Sequence, residues 1–180
     1  AKIGHNAKYD ITIMKRHGLE SSLFASDTML AAYVLDPGAR SHSLSKLSDV
    51  YLHHSMQSIT ELIGKGKNQR SFAEVPIGDA ARYSGDDARV TLQLNNLFLP
   101  ILEEEGLLSL FRDIEMPLMD VLIDMEMRGV CLDTAFLADM SDDLERMMSG
   151  LETNIYEIAG GEFNINSTKQ LGEILYDKLG

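Results

Sequence analysis

Two pairs of residues in this 180-residue sequence have types and spacing suited to chemistry. Asn6 and Asp10 lie four positions apart, and so do Tyr83 and Asp87. On a helix that spacing puts both members of a pair on one face, about one turn apart. Each pair then offers a carboxylate and a hydrogen-bonding group to the same space. If the two helices converge, two carboxylates meet with an amide and a phenol between them. Gathered carboxylates repel, and a divalent cation removes the repulsion; oxygen ligands suit Mg²⁺ or Mn²⁺. Each pair also has an ordinary reading. Asn6 fits a helix-start cap, and Tyr83 fits a core tyrosine on an amphipathic helix. Asp86, beside Asp87, is expected to point to a different face. His5, next to a helix start, reads as a hydrogen-bonding residue rather than a metal ligand.

The elements that must position these pairs follow from periodicity and breakers. Ile3 ends a short strand. Apolar Tyr9, Ile13 and Met14 fall at helical spacing up to Gly18. Residues 23–25 read as a short buried strand, and Asp27 as the N-cap of a helix that ends before "DPGAR". Short helices are predicted over 43–53 and 59–63. A long helix starts near Ile77 and carries Tyr83 and Asp87, with Pro100 as a kink or break. Gly106 gives a boundary, dividing residues 1–105 from 106–180. Beyond it, a helical stretch is interrupted by Pro117, with Met116, Met119, Met125 and Met127 as core filling. A long amphipathic helix spans Thr134 to Ala159 and closes at Gly160–Gly161. Ser167 caps a final helix. The strands are too few for a sheet of ordinary size, so the chain reads as mostly α.

Composition narrows the class. Hydrophobic residues make up 44% and charged residues 24%, the balance of a folded globular chain with a real core. No apolar run approaches the ~20 residues of a membrane helix. The first residues carry Asn, Lys and Asp where the apolar part of a secretion signal would sit. The lone Cys131 excludes an internal disulfide framework and suits a reducing cytosol. A net charge of −12 argues against nucleic acid as a general partner, because phosphate contact needs local positive charge. "GKGKNQRSF", with Lys65, Lys67 and Arg70 and no acid, is the local exception. It fits a phosphate-facing loop or a solvated turn.

In order, "KIGHNAKYD", "SDTMLAAYVLDP", "GKGKNQ" and "ARYSGDDARVTLQL" resemble the 3′–5′ proofreading exonuclease domain of the bacterial DNA polymerase I family, family A. "IEMPLMDVLIDMEMRGVCLD" and "GEFNINSTKQLGEILYDKLG" are similar to the opening of that family's polymerase domain, at the base of its thumb. The resemblance implies a truncated α/β ribonuclease H-like exonuclease fold followed by thumb-base helices. It implies two divalent metal ions, Mg²⁺ or Mn²⁺, that clamp the scissile phosphate of a single-stranded DNA 3′ end. Carried over, Asp87 ligates the metal that holds the attacking water, Tyr83 orients that water, Asp10 holds the second metal, and Asn6 hydrogen-bonds near the terminal nucleotide. DNA, as a single-stranded 3′ end and as primer-template, is the implied partner, in a bacterial cytoplasm.

The family's first motif, an Asp-x-Glu on a strand, is expected upstream of Ala1. The chain therefore reads as an internal part of a larger polymerase. By itself it is expected to bind metal weakly, to be inactive, and to self-associate through bared apolar faces. An RNA-trimming exonuclease of the same superfamily and a catalytically dead helical interaction module are the other readings. Family members often place an arginine close to a histidine after "DPG". Here Arg40 precedes His42 by two, and Arg40 reads as a solvated loop residue.

Overall fold

The computed structural model describes residues 2–19 and 24–180. The chain divides into two compact units, Ala1–Gly129 and Val130–Gly180. Among the described residues it is mostly helical, with one two-stranded parallel sheet.

In the first unit, strand β1 (Lys2–Gly4) leads into helix α1 (Ala7–Arg16), and strand β2 (Phe24–Asp27) leads into helix α2 (Thr28–Leu35). The expected strand is present from Phe24 onward; Leu23 lies outside the described residues. Parallel pairing sets Ile3 opposite Ser26 and Gly4 opposite Asp27. The two strands therefore end side by side, and the two helices start side by side. Their unbonded N-terminal N–H groups converge on one residue. Asp27, 1% exposed, accepts through Oδ1 from the backbone N–H of Asn6 (3.2 Å), Met29 (2.8 Å) and Leu30 (3.2 Å). Its Oδ2 accepts from the N–H of Ala7 at 2.6 Å. A negative charge at two helix starts also meets the positive ends of both helix dipoles. Close strand packing requires Gly4: a Cβ there would come within 2.9 Å of the Phe24 ring.

Helix α3 (Leu44–Leu47) continues as a π turn to Leu52, and α4 (Ile59–Ile63) opens with a capping box from Ser58 and Glu61. Helix α5 (Ile77–Glu104) is the backbone of the unit. Its buried residues Val90, Thr91, Leu94, Asn95, Phe98 and Leu102 form one stripe at helical spacing. Pro100 does not end this helix. The carbonyl that loses its donor belongs to exposed Asn96 on the solvent side, where water can bond it. Helix α6 (Leu108–Leu110), a π turn (Phe111–Glu115) and α7 (Met116–Arg128) form one continuous rod. Pro117 lies directly after the π turn, and the helical stretch runs on through it. Phe111, Met116, Met119 and Ile123 pack into one core with Ala7, Ile11, Ala31, Ala32, Leu94 and Phe98. Met125 and Met127 are exposed, so only half of the methionine run fills the core. Lys8–Glu126 (2.5 Å) and Lys15–Asp124 (3.0 Å) tie α1 to α7 at the surface.

The second unit is α8 (Thr134–Ala159), capped by Asp133 through the N–H of Phe136 (2.9 Å) and closed by left-handed Gly160. Ser167 caps α9 (Thr168–Gly172), which continues as a π turn to Lys178. No helix among the described residues is long and apolar enough to cross a membrane.

Replacing Asp27 removes the acceptor for four N–H groups in a buried site. Asp27→Ala is expected to cost about 3 kcal/mol or more, the sum of two lost caps and their charge-assisted bonds. Chemical denaturation of the variant against the parent checks this, and a loss within about 0.5 kcal/mol, typical of a surface change, would show that Asp27 does not hold the two helix starts.

Candidate functional site

A cavity of about 550 Å³ opens between β1, α1 and α5. Gly4, His5, Asp10, Ser84 and Asp87 line it. Asp10 and Asp87, distant in sequence, thus face one space from two helices. Asp10 lies in the first turn of α1, whose start is fixed by Asp27. Asp87 continues the stripe that buries Thr91, Leu94 and Phe98 farther along α5. Tyr83 is one turn earlier on the same stripe.

Tyr83 lines a neighbouring cavity of about 490 Å³ with His54, Arg82, Asp86 and Arg89; Asp87 borders both cavities. Asp86 and Asp87 have opposite surroundings. Asp86 bonds His54 Nε2 at 2.9 Å and Arg89 Nη2 at 2.6 Å. These two hydrogen bonds hold its carboxyl below the usual carboxylate range. Asp87 is pushed up, first by burial and then by the Asp86 charge, with a hydrogen bond to Tyr83 opposing. Burial and then the Asp87 carboxylate push the Tyr83 phenol up, so it stays protonated at neutral pH. Asp10 is raised by burial and by Asp27. Two acids with raised pKa values therefore border one cavity. Their donors are hard oxygens, which fits Mg²⁺ or Mn²⁺. Among the described residues, no group of three His, Cys, Asp or Glu side chains is arranged to hold a metal.

Asn6 departs from the helical-spacing argument. It adopts a left-handed backbone (φ 63°, ψ 47°) as the N-cap, so regular helix begins only at Ala7. The four-residue rule therefore does not put it on the Asp10 face. Asn6 instead borders a smaller cavity of about 240 Å³ with Asp27, Met29 and Leu118. Its side chain makes no capping hydrogen bond, because Asp27 supplies that oxygen.

His5, set aside in the sequence, lines the Asp10–Asp87 cavity, with Nδ1 on Thr28 Oγ1 at 2.9 Å. Burial lowers its pKa, with the Asp27 charge opposing. The approach of β1 to α5 put it there, and no local pattern announces that. The pairing of Asp86 with Arg89 was readable as an i,i+3 spacing; His54 was not. In the basic loop, Arg70 is held by its guanidinium: Nε and Nη2 donate to the Leu62 carbonyl at 2.9 and 2.7 Å. Lys65 and Lys67 remain exposed. Arg40 is exposed and borders a separate cavity of about 220 Å³ with Asp36, His42 and Tyr51.

A family model described as 3′–5′ exonuclease matches residues 1–103, and one described as DNA polymerase family A matches residues 134–180. DNA polymerase I of Pseudomonas aeruginosa is 42% identical over 99% of this chain and 20% of its own length. That of Rhizobium leguminosarum is 41% identical over 99% of this chain and 18% of its own. The chain thus spans about a fifth of these relatives. Among solved structures, the POL domain of Pol1 from M. smegmatis, in complex with DNA primer-template and dNTP, superposes with a TM-score of 0.70. It shares 26% identity and covers 99% of this chain, which in turn covers 28% of it.

The two adjacent acids should respond oppositely to neutralisation in metal-free buffer. Asp87 has a raised folded pKa, so its ionised form opposes folding at neutral pH, and folding gains as pH falls through that raised value toward 3.8. Asp87→Asn should therefore melt higher than the parent at pH 7, with the gap closing in acid. Asp86 has a depressed folded pKa, so its contribution is present above 3.8 and lost as pH falls. Asp86→Asn should melt lower at pH 7 and converge with the parent in acid. Thermal unfolding at both pH values tests this, and shifts of the same sign at pH 7 would refute it.

Proposed function

The chain belongs to the family A DNA polymerases, through their 3′–5′ exonuclease region, and from that premise we propose that Asp10, Tyr83 and Asp87 form part of a site that hydrolyses the terminal phosphodiester of a single-stranded DNA 3′ end. The observation that carries this reading is the shared cavity of Asp10 and Asp87, whose carboxyls are both raised.

Two divalent ions, when bound, would supply an activated water and charge stabilisation at the phosphate. Asp87 holds the attacking water's side of the cavity and Asp10 the other side. The Tyr83 hydroxyl orients the water from beside Asp87, and its protonated state lets it do so without adding charge. Asn6, with its amide not used in capping, is assigned to the terminal nucleotide. Such ions would bring down both carboxyl pKa values, so cation binding and ionisation of Asp10 and Asp87 are linked.

We assign residues 1–105 to the exonuclease region and residues 106–180 to the start of the polymerase region. Residues of α7 pack in the core of the first unit, so the connection is built into that core. The longer protein is assigned to DNA synthesis in replication and repair in a bacterial cytoplasm, with primer-template as its partner and Mg²⁺ or Mn²⁺ as cofactor. Asp10 and Asp87 are too few ligands for tight binding of two ions. The 180 residues alone are therefore assigned weak metal affinity and no activity, and self-association through exposed side chains such as Tyr9, Ile77 and Leu92.

The test is digestion of 3′-labelled single-stranded DNA by a full-length protein carrying this chain, with Mg²⁺ or Mn²⁺. Asp87→Ala should lower cleavage by about a thousandfold, and Tyr83→Phe by about ten- to a hundredfold, as when groups that stabilise charge or position a proton are lost. Primer extension should be unchanged. Cleavage that survives Asp87→Ala would reject the site, and preferential trimming of RNA 3′ ends would reject the substrate. For the 180 residues alone, robust metal-dependent cleavage or a monomer in sedimentation would reject the corresponding assignments.

A further inference from the structure

The segment between α4 and α5 reads in sequence as a loose basic loop, but the structure pins it at several points. The Arg70 guanidinium donates twice to the Leu62 carbonyl, at 2.9 and 2.7 Å. The Arg70 N–H donates to the Ile63 carbonyl at 2.9 Å. Gly64 turns the chain at φ 84°, where a Cβ would sit 3.2 Å from the Asn68 carbonyl oxygen. The Ser71 hydroxyl accepts from the N–H of Ala73 and starts a 3₁₀ turn over Phe72–Glu74. Val75, just beyond, is buried. Phe72 is thus held between two fixed points.

Its ring lies against Tyr83, with centroids 6.1 Å apart and planes at 60°. That is a favourable tilted aromatic contact. A phenol on the open end of a helix stripe turns about two side-chain torsions, and a neighbouring ring on a pinned loop restricts both. We propose that Phe72, fixed by the Arg70–Leu62 clamp, is a positioning residue that holds the Tyr83 hydroxyl in register with Asp87. This rests on the hydrolytic role assigned above to Tyr83 and Asp87.

Phe72 is 40% exposed, so stacking on a base of the substrate is the competing role. The two roles separate experimentally. Positioning acts on kcat and vanishes once the phenol hydroxyl is gone. Stacking acts on KM and persists without that hydroxyl.

The experiment is a double-mutant cycle of Phe72→Leu and Tyr83→Phe in the full-length protein, read as single-stranded exonuclease kcat and KM. Phe72→Leu is expected to lower kcat about tenfold with KM within about twofold, and to have almost no further effect in the Tyr83→Phe background. Phe72→Tyr should restore most of the loss. Arg70→Lys should lower kcat in the same direction, because an ammonium lacks the fork that reaches one carbonyl with two parallel donors. Primer extension by the same variants reports that the protein is folded. An unchanged kcat, a rise in KM alone, or effects that multiply in the double variant would overturn the proposal. An Asp87→Ala control separates the two failures. If it abolishes cleavage while the cycle multiplies, only the role of Phe72 falls; if it leaves cleavage intact, the assigned site falls.

Discussion

One buried carboxylate organises the first unit. Parallel pairing of β1 and β2 forces α1 and α2 to begin next to each other, which crowds two sets of unbonded N–H groups together. Left alone, that junction would be unfavourable twice over, through unsatisfied donors and through two like dipole ends. Asp27 removes both problems with a single side chain. The position of Asp10 follows from it, because the first turn of α1 is fixed by the Asp27 contact with Ala7. The same charge also reaches Asp10 and raises its pKa. The group that builds the junction thus helps set the electrostatics of the cavity beside it.

The second constraint is the stripe on α5. Most of it is buried and apolar, from Val90 to Leu102. Its N-terminal end carries Tyr83 and Asp87, where polar chemistry replaces packing. A rigid helix of 28 residues with a buried anchor positions that end well, because the core holds its rotation. The price is electrostatic: Asp87 is carried into partial burial next to Asp86. His54 and Arg89 offset the Asp86 charge through direct bonds, whereas for Asp87 a hydrogen bond with Tyr83 is outweighed by burial and the Asp86 charge.

Local signals in the sequence placed most elements. Asp27 and Ser167 were readable as caps, and Thr134–Ala159 as one helix, because capping and helical periodicity are properties of neighbouring residues. Pro100 does not break its helix, and the helical stretch runs on through Pro117, since tolerance of a proline depends on which side faces solvent and on the turn before it. At the site, the Tyr83–Asp87 spacing carried over to three dimensions because both residues lie within one helix. The Asn6–Asp10 spacing did not, because Asn6 sits in a left-handed cap before the helix begins. His5 was set aside in the sequence, and His54 and Phe72 carried no signal there. Each reaches its place through packing between elements distant in sequence, which no spacing rule encodes.

The charge of the chain shows the same limit. A net charge of −12 opposes an anionic substrate in bulk, and the basic loop is the local exception in the sequence. The structure changes both terms. Arg70 is exposed but fixed in place, its guanidinium lying on the Leu62 carbonyl. Arg89 is bound to Asp86 and Arg82 to Asp79, so neither presents an uncompensated charge. Arg82 and Arg89 are thus committed to neighbouring carboxylates rather than to an incoming phosphate. On the proposed reading, cations held by Asp10 and Asp87 would supply the attraction for a phosphate, so that the acidity that argues against phosphate in bulk would, at that one point, help to bring it in.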